Sequence, residues 1–320
     1  MTTATASRTP ADITTTFRRP SLWDLDISAG KKTRLYRMLY QFGPKNGTFL
    51  ILPLDQGLEH GPVDFFANPD SLDTDYIFRL ALAGDYSAVA IHVGLAEKYY
   101  PKYAGRVPLI LKLNGRTCIP SSDQAISTLT GSVEDAVRLG ADAVGYTLYM
   151  GSPRQDEDIA TLNEIRFDCD RAGMPLIVWS YPRGEAIDKK GGRDSVYAID
   201  YAARVAEELG ADVVKINLPT GTSDASPKPY PTVETDELAM AQRVVRSAGK
   251  CLVLFSGGSK LGDADLLTKV ETCMKAGATG LIFGRNMWQR PWDEALAIGG
   301  RAHEILRGFG IRKPTLRSGK

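Results

Sequence analysis

Short, nearly continuous runs of apolar residues recur along the chain, and stretches with helical periodicity fill most of the gaps between them. Eight runs have the length and composition of buried strands, at residues 49–55, 87–93, 107–113, 142–148, 175–181, 212–218, 251–256 and 279–284. Helical patterns occur at residues 133–139, 157–172, 195–209, 236–248, 263–276 and 293–307. Because the strand runs are apolar on both faces, they indicate parallel strands buried between two layers.

The joints between helices and strands also resemble one another. Leu-Gly-Ala-Asp occurs at residues 139–142 and again at 209–212, and the looser Ala-Gly-Ala-Thr occurs at 276–279. In each, a glycine ends a helix and a buried strand follows directly. Eight strand–helix units predict an α/β protein with a (β/α)8 TIM barrel. A doubly wound sheet is the alternative, but it usually has fewer strands in this length, and no Gly-x-Gly-x-x-Gly follows the first strand.

The same pattern predicts a single domain with short extensions. Residues 1–16 are rich in Thr, Ser and Ala, which predicts a disordered N-terminus, with a cleaved transit peptide as the alternative. Residues 17–46 are expected to form a helical extension, residues 47–309 the catalytic barrel, and residues 310–320 a basic C-terminal tail.

Composition adds limits on partners and compartment. The 39 basic and 38 acidic residues leave a net charge of +1 without a basic stripe, so no nucleic-acid partner is expected. No apolar run reaches the roughly 18 residues of a membrane span, so no membrane partner is expected. Four dispersed cysteines without a CxxC motif indicate reduced thiols and a cytoplasmic protein: Cys118, Cys169, Cys251 and Cys273.

One strand carries a lysine near its carboxyl end. Side chains alternate faces along a strand, so Lys215 shares a face with Val213 and Asn217. Burial lowers the pKa of a lysine toward neutrality, and a neutral amine is a nucleophile toward carbonyl carbon. A lysine that extends to solvent at the strand end, or pairs with a carboxylate, is the alternative.

Further polar side chains have the parity of inward positions on neighbouring strands. They are Asp55 on strand one, Lys112 on strand three, and Trp179 and Tyr181 on strand five. The active site of such a barrel lies at the carboxyl ends of its strands. Each residue alone has a purely structural explanation, but together with Lys215 they form a costly polar cluster of the kind that active sites contain.

Two glycine-containing loops predict a phosphate site. The seventh strand ends in Ser256-Gly257-Gly258 and the eighth in Gly284-Arg285. Loops after these strands commonly bind phosphate in barrel enzymes, since glycine lets backbone N–H groups approach an anion and arginine adds a charged fork. An ordinary turn is the alternative reading of the Gly-Gly pair.

The three histidines do not suggest a metal centre. His60 follows strand one, His92 ends strand two and His303 lies in the last helix, and no His or Cys spacing suits a ligand set. We therefore expect no metal and no other cofactor. His60 either positions substrate or bonds within its own loop, and His303 is a surface or packing residue.

Five motifs resemble the archaeal and bacterial type of class I fructose-bisphosphate aldolase, in the order found in that family. They are Leu-Asp-Gln-Gly-Leu-Glu-His-Gly-Pro at 54–62, Trp-Ser-Tyr-Pro-Arg-Gly at 179–184, Val-Lys-Ile at 214–216, Ser-Gly-Gly at 256–258 and Gly-Arg-Asn-Met-Trp-Gln-Arg at 284–290. The N-terminal 45 residues, residues 219–233 and the tail from Gly310 match no motif of the family.

The resemblance implies a role for each matched residue. Lys215 would form the Schiff base, Tyr181 would act as acid and base, Trp179 would line the site, and Asp55 would bind substrate hydroxyls. Phosphate binding is implied around five loop residues: Ser256, Gly257, Gly258, Gly284 and Arg285. Two more residues are candidates for substrate binding. Lys112, on strand three, is also the fallback nucleophile, and Arg183 follows strand five.

The implied reaction is reversible, metal-independent cleavage of fructose 1,6-bisphosphate to dihydroxyacetone phosphate and glyceraldehyde 3-phosphate, in glycolysis and gluconeogenesis. A Schiff-base lyase or transaldolase-like transferase acting on another phosphorylated ketose is one alternative. A non-catalytic sugar-phosphate binder is the other, but it would need neither Lys215 nor Tyr181. Family members often form rings, so the resemblance also implies a homo-oligomer, a pentamer or a decamer.

Overall fold

The structure, a computed structural model, describes residues 19–311 of the 320-residue chain. The expectations for residues 1–16 and for the tail beyond Ile311 fall outside this described part. Within residues 19–311, no helix is both long and apolar enough to cross a membrane.

Eight parallel strands form a closed barrel in chain order, and the last strand pairs with the first. This confirms the predicted (β/α)8 barrel and rules out the doubly wound alternative. The strands are β1 Phe49–Leu54, β2 Ala88–His92, β3 Leu109–Lys112, β4 Ala143–Met150, β5 Leu176–Pro182, β6 Val213–Ile216, β7 Leu252–Ser256 and β8 Gly280–Ile282.

Helices alternate with the strands. They are α1 Ala29–Tyr36, α2 Gln56–His60, α3 Thr74–Ala83, α4 Val93–Tyr99, α5 Val133–Arg138, α6 Gln155–Ala172, α7 Glu185–Asp188, α8 Val196–Glu208, α9 Glu237–Ser247, α10 Asp263–Lys275, α11 Arg285–Trp288 and α12 Trp292–Gly308. A short antiparallel pair, Asn114–Gly115 with Thr128–Leu129, adds a small hairpin after β3.

The alternating direction of the strand side chains divides the buried core into two layers. Inward side chains such as Ile51, Ile110 and Ile177 fill the barrel, whereas their outward neighbours such as Leu50 and Leu111 pack under the helices. The strand period of two therefore assigns each strand residue to one layer, as the alternation in the sequence predicts.

The N-terminal segment covers the amino end of the barrel. Leu35 and Met38, on α1 and the π-helical turn Arg37–Gln41 that follows it, belong to the same apolar cluster as the barrel interior. Two ion pairs reinforce this contact. Lys31 lies 3.0 Å from Asp212, and the Arg37 guanidinium lies 2.9 Å from Asp142.

Candidate active site

A single cavity at the carboxyl end of the barrel brings together all the residues that the sequence singled out. Their lining positions come from six of the eight strands or from the loops that follow them. They are Asp55, Lys112, Trp179, Tyr181, Arg183, Lys215, Ser256, Gly257, Gly258, Gly284 and Arg285. The side chains with inward parity and the residues at the strand ends therefore share one cavity.

Lys215 lies on β6 opposite Trp179 of β5 in the strand register, and its side chain is buried. Its Nζ lies 5.1 Å from the Trp179 ring centroid and 5.3 Å from that of Tyr181. Among residues 19–311 no acceptor forms a hydrogen bond with this amine. The amine is thus held by ring faces rather than by acceptors, which leaves its nitrogen accessible for bond formation.

Lys112 has the same inward parity but different surroundings. Its Nζ donates hydrogen bonds to Asn114 O at 2.9 Å, to Asn114 Oδ1 at 3.2 Å and to Thr147 Oγ1 at 2.7 Å. Burial and the nearby charge of Lys215 lower the pKa of Lys112 to about 8, and the charge of Asp55 opposes this shift. Three acceptors around the ammonium suit a fixed positioning role better than a nucleophilic one.

Asp55 is the anionic partner of both lysines. Burial works to raise its pKa, but the charges of Lys215 and Lys112 outweigh burial, and the pKa is lowered. Burial and the neighbouring Lys112 lower the pKa of His92 to about 4, so its imidazole is neutral at physiological pH. The cavity floor therefore carries one carboxylate between cationic groups, with a neutral imidazole beside them.

Two tyrosines and an arginine form one wall of the cavity. The Arg183 guanidinium lies 5.4 Å from the Tyr181 ring centroid and 5.8 Å from that of Tyr149. Tyr146, on the neighbouring strand β4, is not part of this wall. Its side chain lies on the outward face of β4, and its hydroxyl donates to Asp158 Oδ1 at 2.6 Å.

The loops after β7 and β8 approach each other closely at the cavity edge. Gly258 has a positive φ of 71°, and its carbonyl accepts a hydrogen bond from Arg285 Nη2 at 3.2 Å. A Cβ at Gly257 would lie 2.6 Å from Asn286 Nδ2, and one at Gly284 would lie 3.0 Å from Pro53 O. Both positions therefore require glycine for the loops to meet at this edge.

Sequence reasoning missed several lining residues. Thr147 has inward parity on β4, a signal that was available in the chain, whereas Ser127 arrives from a loop whose position no periodicity predicts. Four buried polar atoms of lining residues have no partner among residues 19–311: Gln56 Oε1, His92 Nδ1, Ser127 Oγ and Trp179 Nε1. Such atoms are available to a polar ligand.

The histidine expectations have separate outcomes. His60 lines the cavity and also bonds locally, with Nδ1 2.7 Å from Asp64 Oδ2, so both proposed readings describe part of its environment. His303 is buried in α12, where Nε2 lies 3.0 Å from Gly84 O, which is a packing position.

A barrel with lysines at the carboxyl ends of its strands is the architecture of Schiff-base aldolases, and comparison with known proteins agrees. The profile of the DeoC/LacD family aldolases matches residues 49–290. The class 1 fructose-bisphosphate aldolase of Thermoproteus tenax is 44% identical, over 82% of this chain and 91% of that protein. The chain belongs to the DeoC/LacD family of aldolases.

Two further comparisons limit and extend this assignment. One similar structure is that of an archaeal fructose-1,6-bisphosphate aldolase, with the catalytic lysine covalently bound to the carbinolamine intermediate of the substrate. It superimposes with a TM-score of 0.73 at 39% identity and covers 86% of this chain and 100% of that one. The 2-amino-3,7-dideoxy-D-threo-hept-6-ulosonate synthase of Halobacterium salinarum is 31% identical, over 86% of this chain and 92% of that protein. Proteins similar to this chain thus carry the names of at least two different enzymes.

Proposed function

We propose that this protein is a class I aldolase that reversibly cleaves fructose 1,6-bisphosphate into dihydroxyacetone phosphate and glyceraldehyde 3-phosphate. The observation that carries the proposal is the contrast between the two buried lysines. Both amines face the Trp179 ring, but Lys215 has no hydrogen-bond acceptor in the described chain, whereas Lys112 is held by three hydrogen bonds. The nearer relatives at 39–44% identity are named as class 1 fructose-bisphosphate aldolases.

In the proposed first half-reaction, neutral Lys215 attacks the ketone carbon of the open-chain sugar and forms a carbinolamine. Loss of water gives an iminium ion, which withdraws electrons from the adjacent carbon atoms. A base removes the proton of the hydroxyl on the fourth carbon, and the bond between the third and fourth carbons breaks. Its electron pair forms the carbon–carbon double bond of an enamine while the C=N pair returns to nitrogen, and glyceraldehyde 3-phosphate leaves.

In the second half-reaction the enamine carbon is protonated and water hydrolyses the resulting iminium, which releases dihydroxyacetone phosphate and regenerates Lys215. Tyr181 is the proposed acid and base, because its ring lies 5.3 Å from the Lys215 amine at the cavity wall. The iminium itself supplies the electron withdrawal that a metal ion supplies in other aldolases.

The remaining lining residues are proposed to bind the substrate. Asp55 remains ionised because its pKa is lowered, so its carboxylate accepts hydrogen bonds from sugar hydroxyls. Lys112 and Arg183 supply positive charge, and Trp179 forms an apolar wall. The proposed phosphate site comprises the two adjoining loops, with backbone N–H groups and one guanidinium: Ser256, Gly257, Gly258, Gly284 and Arg285.

A second candidate activity follows from the 31%-identical synthase. A Schiff-base lysine also serves lyases or transaldolase-like transferases that act on other phosphorylated ketoses. Parallel assays with fructose 1,6-bisphosphate, shorter ketose phosphates and transaldolase donors distinguish these substrates, and the expected result is the highest kcat/KM for fructose 1,6-bisphosphate. A higher kcat/KM for another ketose would mean that this ketose is the substrate, cleaved by the same Schiff-base chemistry.

The cellular setting belongs to the same proposal. An aldolase with this substrate acts in glycolysis and gluconeogenesis, in the cytoplasm, where reduced cysteines are the rule. All four cysteines are free in the structure. We also propose a homo-oligomer, a pentamer or decamer, which sedimentation analysis of the full chain would test.

Trapping of the covalent intermediate tests the catalytic assignment. Borohydride together with dihydroxyacetone phosphate should inactivate the enzyme and add the reduced ligand to the peptide that contains Lys215. Lys215→Met should abolish both turnover and labelling, because methionine keeps the stem volume and removes the amine. Labelling of Lys112 would mean that Lys112 is the nucleophile, and labelling of neither lysine would exclude a Schiff-base mechanism.

A further inference from the structure

Three side chains with metal-ligating atoms meet at the rim of the cavity, apart from the two lysines. Glu59 and His60 come from the end of α2, and Cys118 comes from the loop after β3. One ligand atom from each lies within 4.8 Å of the others. Only folding brings Cys118 to this pair, which explains why spacing along the chain showed no ligand set.

The histidine is held in the orientation and tautomer that a metal ligand needs. His60 Nδ1 lies 2.7 Å from Asp64 Oδ2. Because an ionised carboxylate only accepts hydrogen bonds, Nδ1 carries the proton, and the lone pair is on Nε2. Nε2 faces Glu59, with Oε1 4.0 Å away. A carboxylate behind a ligating histidine is the usual outer partner in zinc sites.

The cysteine is positioned by its backbone. Cys118 N donates to Glu59 O at 2.8 Å, which joins the loop to the end of α2. Arg116 donates to the carbonyls of Thr117, Pro120 and Ser121, and so folds the loop around Cys118. The thiol is exposed, unlike the three buried cysteines of the core. Two segments distant in sequence are therefore already connected before any ion binds.

We propose that Glu59, His60 and Cys118 form a binding site for a zinc-type divalent ion at the rim of the cavity. Carboxylate, imidazole and thiolate are the three zinc ligand types in proteins, with bond lengths of about 2.0–2.3 Å. The Glu59 side chain is partly exposed and the Cys118 side chain is exposed, so rotation about their side-chain bonds closes the remaining separation.

Occupancy of this site has a consequence for access to the cavity, since Glu59 and His60 also line it. An ion there adds positive charge and fixes both side chains at the entrance. The cluster includes neither Lys215 nor Lys112, and the ion takes no part in the proposed cleavage. The site is therefore independent of the aldolase proposal, and either can fail without the other.

The test is a titration of the full-length, metal-free protein with zinc chloride in competition with a chromophoric chelator. One equivalent per chain is expected to bind, with a dissociation constant in the micromolar range or tighter. Cobalt chloride should give the near-ultraviolet thiolate-to-cobalt absorption band that reports a cysteine ligand. The wild-type melting temperature should rise on addition of zinc, because an ion that binds only the folded protein stabilises it.

Variants distinguish this site from adventitious binding. Cys118→Ser should remove the cobalt band, and Cys118→Ser and His60→Gln should each weaken zinc binding strongly. Asp64→Ala removes only the positioning carboxylate and should weaken it by about 10–100-fold. Cys273→Ala, which removes a buried thiol far from the cluster in the chain, is the control and should bind as wild type. Unchanged affinity in Cys118→Ser and His60→Gln, or no cobalt band in wild type, would overturn the proposal.

Discussion

At the scale of single residues, the cavity shows how two lysines of equal parity acquire different surroundings. Both point inward from their strands, and the alternation of side chains was sufficient to predict that. The acceptors around Lys112 come from Asn114 and Thr147, on different segments, and only the folded barrel brings them together. A sequence pattern therefore identified both candidates, but the hydrogen bonds that distinguish them depend on tertiary structure.

Tyr181 provides the first prediction at this scale. Tyr181→Phe removes one oxygen atom and retains the ring beside Lys215, so packing should change little. Proton transfer by a positioned group contributes about 10²–10⁴-fold in rate. We expect a loss of turnover in that range, with borohydride trapping at Lys215 retained and solvent exchange of the methylene proton of dihydroxyacetone phosphate reduced in parallel.

Tyr149→Phe is the matched comparison, because this tyrosine lines the same cavity and contacts the same arginine. Its loss of turnover should be smaller than that of Tyr181→Phe. Near wild-type cleavage by Tyr181→Phe, together with a large loss in Tyr149→Phe, would transfer the acid–base role to Tyr149. Tyr146 is not a candidate, because it contacts α6 on the outside of the barrel.

At the scale of elements, the repeated helix–strand joints have a structural explanation that the sequence did not reveal. Their aspartates, Asp142 and Asp212, stand just before β4 and β6 and pair with cations of the N-terminal segment, Arg37 and Lys31. Asp212 Oδ2 also accepts a hydrogen bond from Leu176 N at 2.8 Å. Periodicity predicted the joints as turns, and only the packed N-terminal segment shows that two of them are anchors.

The two anchors are not equivalent. Asp142 Oδ2 is buried and has no hydrogen-bond partner among residues 19–311. Burial raises the pKa of Asp142 to about 6, although Arg37 works to lower it. The folded protein therefore retains a proton on Asp142 over a pH range in which the unfolded chain, with an aspartate pKa of about 3.9, has already lost it.

This difference makes the free energy of unfolding of the wild type fall as pH rises from about 4 to about 6, and the penalty remains above that range. Asp142→Asn does not titrate there. The stability of the variant relative to wild type should increase across this window, by up to about 3 kcal/mol, since each pKa unit corresponds to about 1.4 kcal/mol. Urea unfolding at several pH values measures it.

Glu164→Gln is the control for that experiment, because it removes an exposed carboxylate of α6. Its stability difference from wild type should stay constant over the same pH range. A constant difference for Asp142→Asn as well would show that Asp142 remains charged in the folded protein at low pH, and that Arg37 fully compensates its burial.

At the scale of the whole molecule, strand count and the alternation of strands with helices were enough to predict the barrel. Closure of the sheet follows from eight consecutive parallel strands, and the register then places every inward strand end around one cavity. The sequence pattern did not specify helices α3 and α4. It could not predict the loops at the rim, because their positions depend on contacts such as that of Cys118 with Glu59 rather than on periodicity.

Metal independence is the prediction for the molecule as a whole. Among residues 19–311, the one group of three potential ligands is the rim cluster of Glu59, His60 and Cys118, and it includes neither inward lysine. Since the iminium ion at Lys215 would withdraw the electrons of the breaking bond, turnover should survive prolonged dialysis against a chelator. Added zinc should leave turnover unchanged or lower it by obstructing the entrance. Loss of activity on dialysis, with recovery on adding zinc, would instead mean that a metal ion polarises the substrate carbonyl, and borohydride trapping at Lys215 would then be expected to fail in the same preparation.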